Sequence, residues 1–255
     1  VYFIYLVDLV TPDNFDLVRS ILLVQILLSA ISVFYFYKIN LNLFNKKLSI
    51  ISTYIFILFP INVYACLQIS SITLQIFLTI IFLYLILKIF IKKQTLKTYI
   101  FLSLISGLTI LLRGEFIIIF FFTIIYLLLL KKLNFIKVAI IILVTSIIIS
   151  PYLVRNYLVF EKITITKSFG YNLWKGNNIT STVEGSESSL AFDEDQIKQK
   201  IDNLEKDSLY EFSRDKIFLD ISLDFINDNK VLFIKRYIKQ FLTFTLFNFN
   251  SNYPN

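Results

Sequence analysis

Two arginines stand where long apolar stretches stop: Arg113, in Leu112-Arg113-Gly114-Glu115, and Arg155, in Pro151-Tyr152-Leu153-Val154-Arg155-Asn156-Tyr157. A guanidinium presents a planar fork of donors that suits a phosphate. At the end of a membrane span it can equally cap a helix or snorkel to the interface. Beyond Arg155, the run Gly170-Tyr171-Asn172-Leu173-Trp174-Lys175-Gly176-Asn177-Asn178 combines aromatic faces with amides. Such residues suit sugar recognition, and they are also enriched where a loop is clamped at a membrane surface. Carboxylates near these features are few. Glu115 is a candidate acid, with a local ion pair to Arg113 as the competing role. Asp13 and Asp16, after Pro12, have the spacing of helix N-caps rather than of a metal loop. The chain has no histidine and a single cysteine, Cys66, which excludes histidine-ligated zinc, a histidine triad and an internal disulfide. Acid–base chemistry therefore falls to carboxylate, Tyr or Lys side chains. Nothing in the sequence specifies a cofactor or a metal site.

The elements that must position these residues are membrane helices. Apolar residues make up 56% of the 255 residues, mean hydropathy is +0.72, and there are 27 Phe and 15 Tyr. A soluble domain of this size has too little interior to hide that surface. Five or six segments are apolar over the length needed to span a bilayer, at about 19–37, 49–67, 71–91, 98–113, 115–131 and 135–153, the fourth and fifth being short. The fourth and fifth form a hairpin turning at Gly114. The β-branched run 138–150 reads as helix, since lipid demands that backbone groups be satisfied locally. Pro151 is expected to end the sixth helix, leaving Arg155 in a following loop. The fold class is thus all-α: a polytopic membrane bundle of about six spans (residues 1–153), then a largely helical extracytoplasmic segment (154–255) that returns to the membrane.

Lysines orient the bundle. Lys38, Lys46 and Lys47 follow the first span, Lys88, Lys92, Lys93 and Lys97 the third, and Lys131, Lys132 and Lys137 the fifth, with no acid in any of these connections. The positive-inside rule makes those loops cytoplasmic and puts Arg113 and everything after Pro151 outside. Residues 1–153 hold twelve Lys/Arg against Asp8, Asp13, Asp16 and Glu115, whereas 154–255 hold thirteen against fourteen acids. The excess positive charge thus sits where it meets anionic lipid. No basic groove lies on a soluble face, so nucleic acid is not a partner. After 153 comes a polar low-complexity stretch at 179–190, amphipathic helices between Asp193 and Asn227, and an aromatic return over Lys230–Phe249.

The stretch from Pro151 to Asn178 resembles the Pro-Trp-x-x-Arg-Asn-Tyr…Gly-Tyr-Asn-Leu-Trp-x-Gly-Asn-Asn signature of bacterial protein-mannosyltransferase-like membrane glycosyltransferases of the GT-C type, the dolichyl-phosphate-mannose-protein mannosyltransferase kind. Gly107-Leu108-Thr109-Ile110-Leu111-Leu112-Arg113-Gly114-Glu115 resembles the same family's Gly-Leu-x-x-Leu-Thr-Arg-Pro-Glu, with Gly114 in place of proline. Ser71-Ile72-Thr73 departs from the Ser-Glu-Thr common in relatives. The resemblance implies a multi-pass inner-membrane enzyme that moves a sugar from a polyprenyl-phosphate carrier to an acceptor at the extracytoplasmic face. It implies donor-phosphate contacts from Arg113 and Arg155, and substrate lining from Tyr157, Tyr171, Asn172, Trp174, Lys175 and Asn177, with Asn178 beside them. The family's catalytic aspartate sits in the first outward loop. This sequence lacks an initiator Met and is expected to begin after that loop, as an inactive fragment cut at both ends, leaving Glu115 as the weak catalytic candidate. Two rivals are a transporter or lipid flippase and a non-catalytic membrane scaffold. The first calls for ionisable groups within the spans, which these nearly lack; the second leaves the Arg155–Asn178 signature unexplained.

Overall fold

The computed structural model describes residues 2–12, 15–92, 94–178, 181 and 195–245. The stretch 179–190, apart from Ser181, lies outside the described residues, as does Asp13. The chain divides into two compact units, residues 1–152 and 153–255. Every regular element among the described residues is a helix.

In unit 1 a short α1 (Tyr2–Asp8) precedes α2 (Leu17–Leu43), which Asp16 caps by accepting from the Val18 amide at 3.1 Å. The next elements are α3 (Lys46–Leu58), α4 (Pro60–Leu67), α5 (Ile72–Ile91), α6 (Leu96–Leu112) and α7 (Phe116–Leu129). The last, α8 (Phe135–Phe160), runs through the boundary at 152. Three of these are long and apolar enough to cross a membrane: α2, α5 and α8. The pair α3–α4 qualifies as one bent span, while α6 and α7 are shorter apolar helices. The protein is therefore a helical polytopic membrane protein.

Two prolines depart from the expected spans, in opposite ways. Pro60 breaks the expected 49–67 span with a 48° bend. A proline pushes the preceding residue out of the helical region, and Phe59 is extended (ψ 116°). Pro60 also has no N–H for the carbonyl four residues back, that of Phe56, and the Asn62 side-chain amide donates to it instead at 2.9 Å. Pro151 does not end its helix, contrary to expectation: α8 continues to Phe160. The carbonyl it leaves unpaired, that of Ile147, accepts from the Ser150 hydroxyl at 3.0 Å. Arg155, Asn156 and Tyr157 are therefore helical residues rather than loop residues.

The core of unit 1 lies where α5 and α6 meet their neighbours, with Phe82, Tyr99, Leu102 and Ile110 among its fully buried side chains. Ser103, Ser106 and Thr109 are buried with them, each hydroxyl donating at 2.7 Å to the carbonyl one turn back on α6. Small residues let backbones approach closely in lipid, where the hydrophobic effect does not hold helices together. Thr145 of α8 donates across to the Ser103 carbonyl at 3.2 Å, and a Cβ at Gly107 would lie 2.7 Å from Ile148. Much of the remaining apolar surface, such as Leu129, Phe135 and Ile136, is exposed.

Unit 2 contains the end of α8, then α9 (Phe169–Gly176), α10 (Asp195–Asp202), α11 (Tyr210–Asp228) and α12 (Lys230–Thr245). Its core is Trp174, Ile197 and Phe218, with Tyr171, Ile201 and Ile221 packed against them. Gly170 makes this possible, because a Cβ there would fall on the Asp215 carbonyl and lie 2.9 Å from the Leu219 backbone nitrogen.

Candidate functional site

In unit 1, Arg113 is the C-cap of α6, its backbone N–H bonding to the Thr109 carbonyl at 2.8 Å. The guanidinium is exposed. The expected ion pair with Glu115 is absent: among the described residues the only ion pair is Arg19–Asp16. Arg113 is extended at the end of α6, and Glu115 stands at the head of α7 without capping it through its side chain.

In unit 2, Arg155 projects from the last turns of α8. Its Nη1 donates to Asn156 Oδ1 at 3.0 Å, while Asn156, only 1% exposed, donates through Nδ2 to the Thr164 carbonyl at 2.7 Å. The buried amide thus ties the arginine to the loop that follows. Glu161, in the left-handed region at φ 53°, turns the chain out of α8 and into that loop. Two loop lysines then reach the ring of Phe160 and the ring it meets. Lys167 Nζ stands 3.6 Å from the centre of the Phe160 ring, and the Arg155 guanidinium carbon 5.6 Å from the same centre. Phe160 meets Phe212 of α11 edge to face at 5.5 Å, and Lys162 lies 4.7 Å from the centre of the Phe212 ring. Three cations therefore share one aromatic pair, and among the described residues none of them pairs with a carboxylate. Lys162 and Lys167 were not singled out from the sequence, since only the return of α11 shows which rings they meet.

The aromatic and amide residues split between surface and core. Tyr157 is 55% exposed on α8. Tyr171 is half-buried, stacked on Trp174 with centres 6.1 Å apart and capped by Lys175 Nζ at 4.5 Å. Asn172 is exposed and donates weakly to Ser168 Oγ at 3.4 Å. Trp174, in contrast, is 3% exposed and packs against Phe218. Asn177 and Asn178 donate to the Leu173 and Trp174 carbonyls at 2.9 and 2.8 Å, closing the C-terminal end of α9. The other end of α9 is held by Asp215, whose carboxylate accepts from the Gly170 and Tyr171 amides at 2.9 and 2.8 Å. A negative group at a helix N-terminus is stabilising. Beside this join a shallow cleft of about 130 Å³ opens, with Lys167, Tyr171, Glu211, Arg214 and Asp215 on its walls.

Such a surface offers cations for a phosphate and an aromatic face with polar neighbours for a sugar. Residues 2–155 match the family described as dolichyl-phosphate-mannose-protein mannosyltransferase. The chain belongs to that family. It is accordingly an integral membrane protein of a glycosyltransferase family whose donors are sugars on dolichyl- or polyprenyl-phosphate carriers. The match takes in the whole bundle and ends at Arg155, so both motif arginines fall within it and the Gly170–Asn178 run lies beyond it. No curated protein and no solved structure matches the chain.

Proposed function

We propose that this mannosyltransferase-family protein transfers a sugar from a polyprenyl-phosphate carrier at the extracytoplasmic face of the inner membrane, with Arg155 as a donor-phosphate ligand. The observation that carries the reading is that Arg155, Lys162 and Lys167 all stand against the Phe160–Phe212 pair and, among the described residues, none of them forms an ion pair. Like charges held on one aromatic pair repel one another, and an arriving phosphate relieves that repulsion. Transfer breaks the bond between the sugar carbon and the phosphate oxygen, so the phosphate leaves carrying an additional negative charge. Cations already in place stabilise that charge without reorganising. Asn156 is a positioning residue that holds the guanidinium. Tyr171, Asn172 and Lys175 would line the sugar, Tyr157 would meet the carrier, and Trp174 and Asn177 would hold α9 in shape from beneath. Arg113 is proposed as a phosphate ligand on its own motif and on an exposed guanidinium that forms no ion pair among the described residues. Glu115, exposed and free of Arg113, is the carboxylate in this chain proposed for proton abstraction from the acceptor hydroxyl. The outward orientation rests on the three lysine-rich connections.

The test is polyprenyl-phosphate affinity of the reconstituted protein. A charge-assisted hydrogen bond is worth about 1.5–3 kcal/mol, so Arg155→Ala or Arg113→Ala is expected to weaken binding by about ten- to a hundredfold. Arg155→Lys rescues in part, keeping the charge and losing the fork. Unchanged affinity in both alanine variants, with melting intact, would reduce these arginines to interface anchors.

A further inference from the structure

A second cationic site lies in unit 1, at the end of the bundle where α2 and α5 finish. There a cleft of about 190 Å³ is lined by Asn42, Tyr84, Leu87, Lys88, Ile91 and Lys92, with Gln94 closing it. Lys88 Nζ stands 5.3 Å from the centre of the Tyr84 ring; Tyr84 meets Tyr35 of α2 edge to face at 4.8 Å. Lys38 sits beside Phe34 and Tyr35, at 4.3 and 5.8 Å from their ring centres. Lysines at a helix C-terminus ordinarily serve the last carbonyls of that helix. Here the side-chain amide of Gln94 takes that role, donating to the Lys88 and Lys92 carbonyls at 3.0 and 3.2 Å. Among the described residues neither ammonium group forms an ion pair, and no Asp or Glu occurs in the sequence between Asp16 and Glu115. The lining also has an apolar side. Leu87 and Ile91 line it, and with Leu83 beyond the cleft they recur every fourth residue as one stripe along α5, Leu83 and Ile91 being exposed.

We propose that this cleft binds the phosphate headgroup of an anionic phospholipid, with Lys88 and Lys92 on the phosphate, Asn42 and Tyr84 beside it, and an acyl chain along the Leu83–Leu87–Ile91 stripe. A basic pocket between spans that opens onto apolar helix surface fits a lipid carrying both groups. A free phosphate would use the lysines and gain nothing from the stripe.

The experiment places the full chain in phosphatidylcholine bilayers and compares its association with spin-labelled phosphatidylglycerol and spin-labelled phosphatidylcholine. A preference for phosphatidylglycerol is expected, and the Lys88→Gln/Lys92→Gln double variant should lose about ten- to thirtyfold of it. Lys46→Gln/Lys47→Gln, which removes equal charge outside the cleft, should lower it clearly less than the cleft pair does. The Lys88→Arg/Lys92→Arg variant should retain it, which separates loss of binding from loss of fold. The proposal falls if the control pair costs as much as the cleft pair, or if no preference exists. Displacement of the label by millimolar inorganic phosphate would make the site one for free phosphate and overturn the lipid assignment.

Discussion

Replacing Gly170 with alanine should unseat α9 from α11. The new Cβ would meet the Asp215 carbonyl and the Leu219 backbone nitrogen, at 2.9 Å for the latter. Because both obstacles are backbone, no side-chain rotation relieves them, and α9 must move away as a body. Overpacking of this kind costs about 1–3 kcal/mol. The same movement stretches the two amide bonds to the Asp215 carboxylate, 2.9 and 2.8 Å long, which contribute about 1.5–3 kcal/mol each as bonds to a charged group. Partial loss of them raises the expected destabilisation to about 3–5 kcal/mol, a large share of a small unit's stability. The chain provides its own probe, since Trp174 is its only tryptophan and is buried against Phe218. Gly170→Ala should shift Trp174 emission to the red and lower the denaturant midpoint read from it, while helix content in the spans stays constant. Asp215→Asn, which keeps an acceptor oxygen and loses the charge, should give a smaller shift in the same direction. Unchanged emission and midpoint in Gly170→Ala would refute the packing of α9 on α11 through this glycine.

The proline sites allow a paired measurement. Asn62→Ala leaves the Phe56 carbonyl without its donor and Ser150→Ala does the same for Ile147, so each should lower the detergent melting temperature by the equivalent of about 1–3 kcal/mol. Restoring the missing N–H with Pro60→Ala in the Asn62→Ala background should recover part of that loss. Orientation is checked by impermeant thiol labelling of single cysteines at Ser188 and Lys46 in a Cys66→Ser protein. Ser188→Cys should label in intact cells and Lys46→Cys should not; the reverse pattern would invert the bundle.

The helical, membrane-crossing character was legible, though not the number of full-length spans, because lipid leaves a chain so few options. A run of apolar residues long enough to cross must bond its own backbone, and helix does that whatever its neighbours are. Asp16 at the head of α2 was equally local, since a cap needs only the amides that follow it. The prolines were not local. Pro60 and Pro151 are alike in sequence terms, yet α3–α4 bends and α8 continues. Part of the difference is visible in what holds α8 on each side of Pro151: the bond from Thr145 to Ser103 before it, and Asn156 anchored to Thr164 after it. The Arg113–Glu115 pair, absent among the described residues, belongs with these, because closeness in sequence did not make the two side chains an ion pair.

By itself, then, the sequence determined an all-helical membrane protein, the lysine-marked ends of its spans and the two motif arginines, since hydropathy, charge and a short motif are properties of contiguous residues. Tertiary structure decided what the residues after Arg155 do. Trp174 belongs to a core because Phe218, far along the chain, folds over it; Gly170 is required because Asp215 and Leu219 lie against it. Lys162 and Lys167 join Arg155 only because Phe212 returns to meet Phe160. Burial and the sharing of an aromatic pair depend on which distant segments come together, and neighbours in sequence carry no record of that.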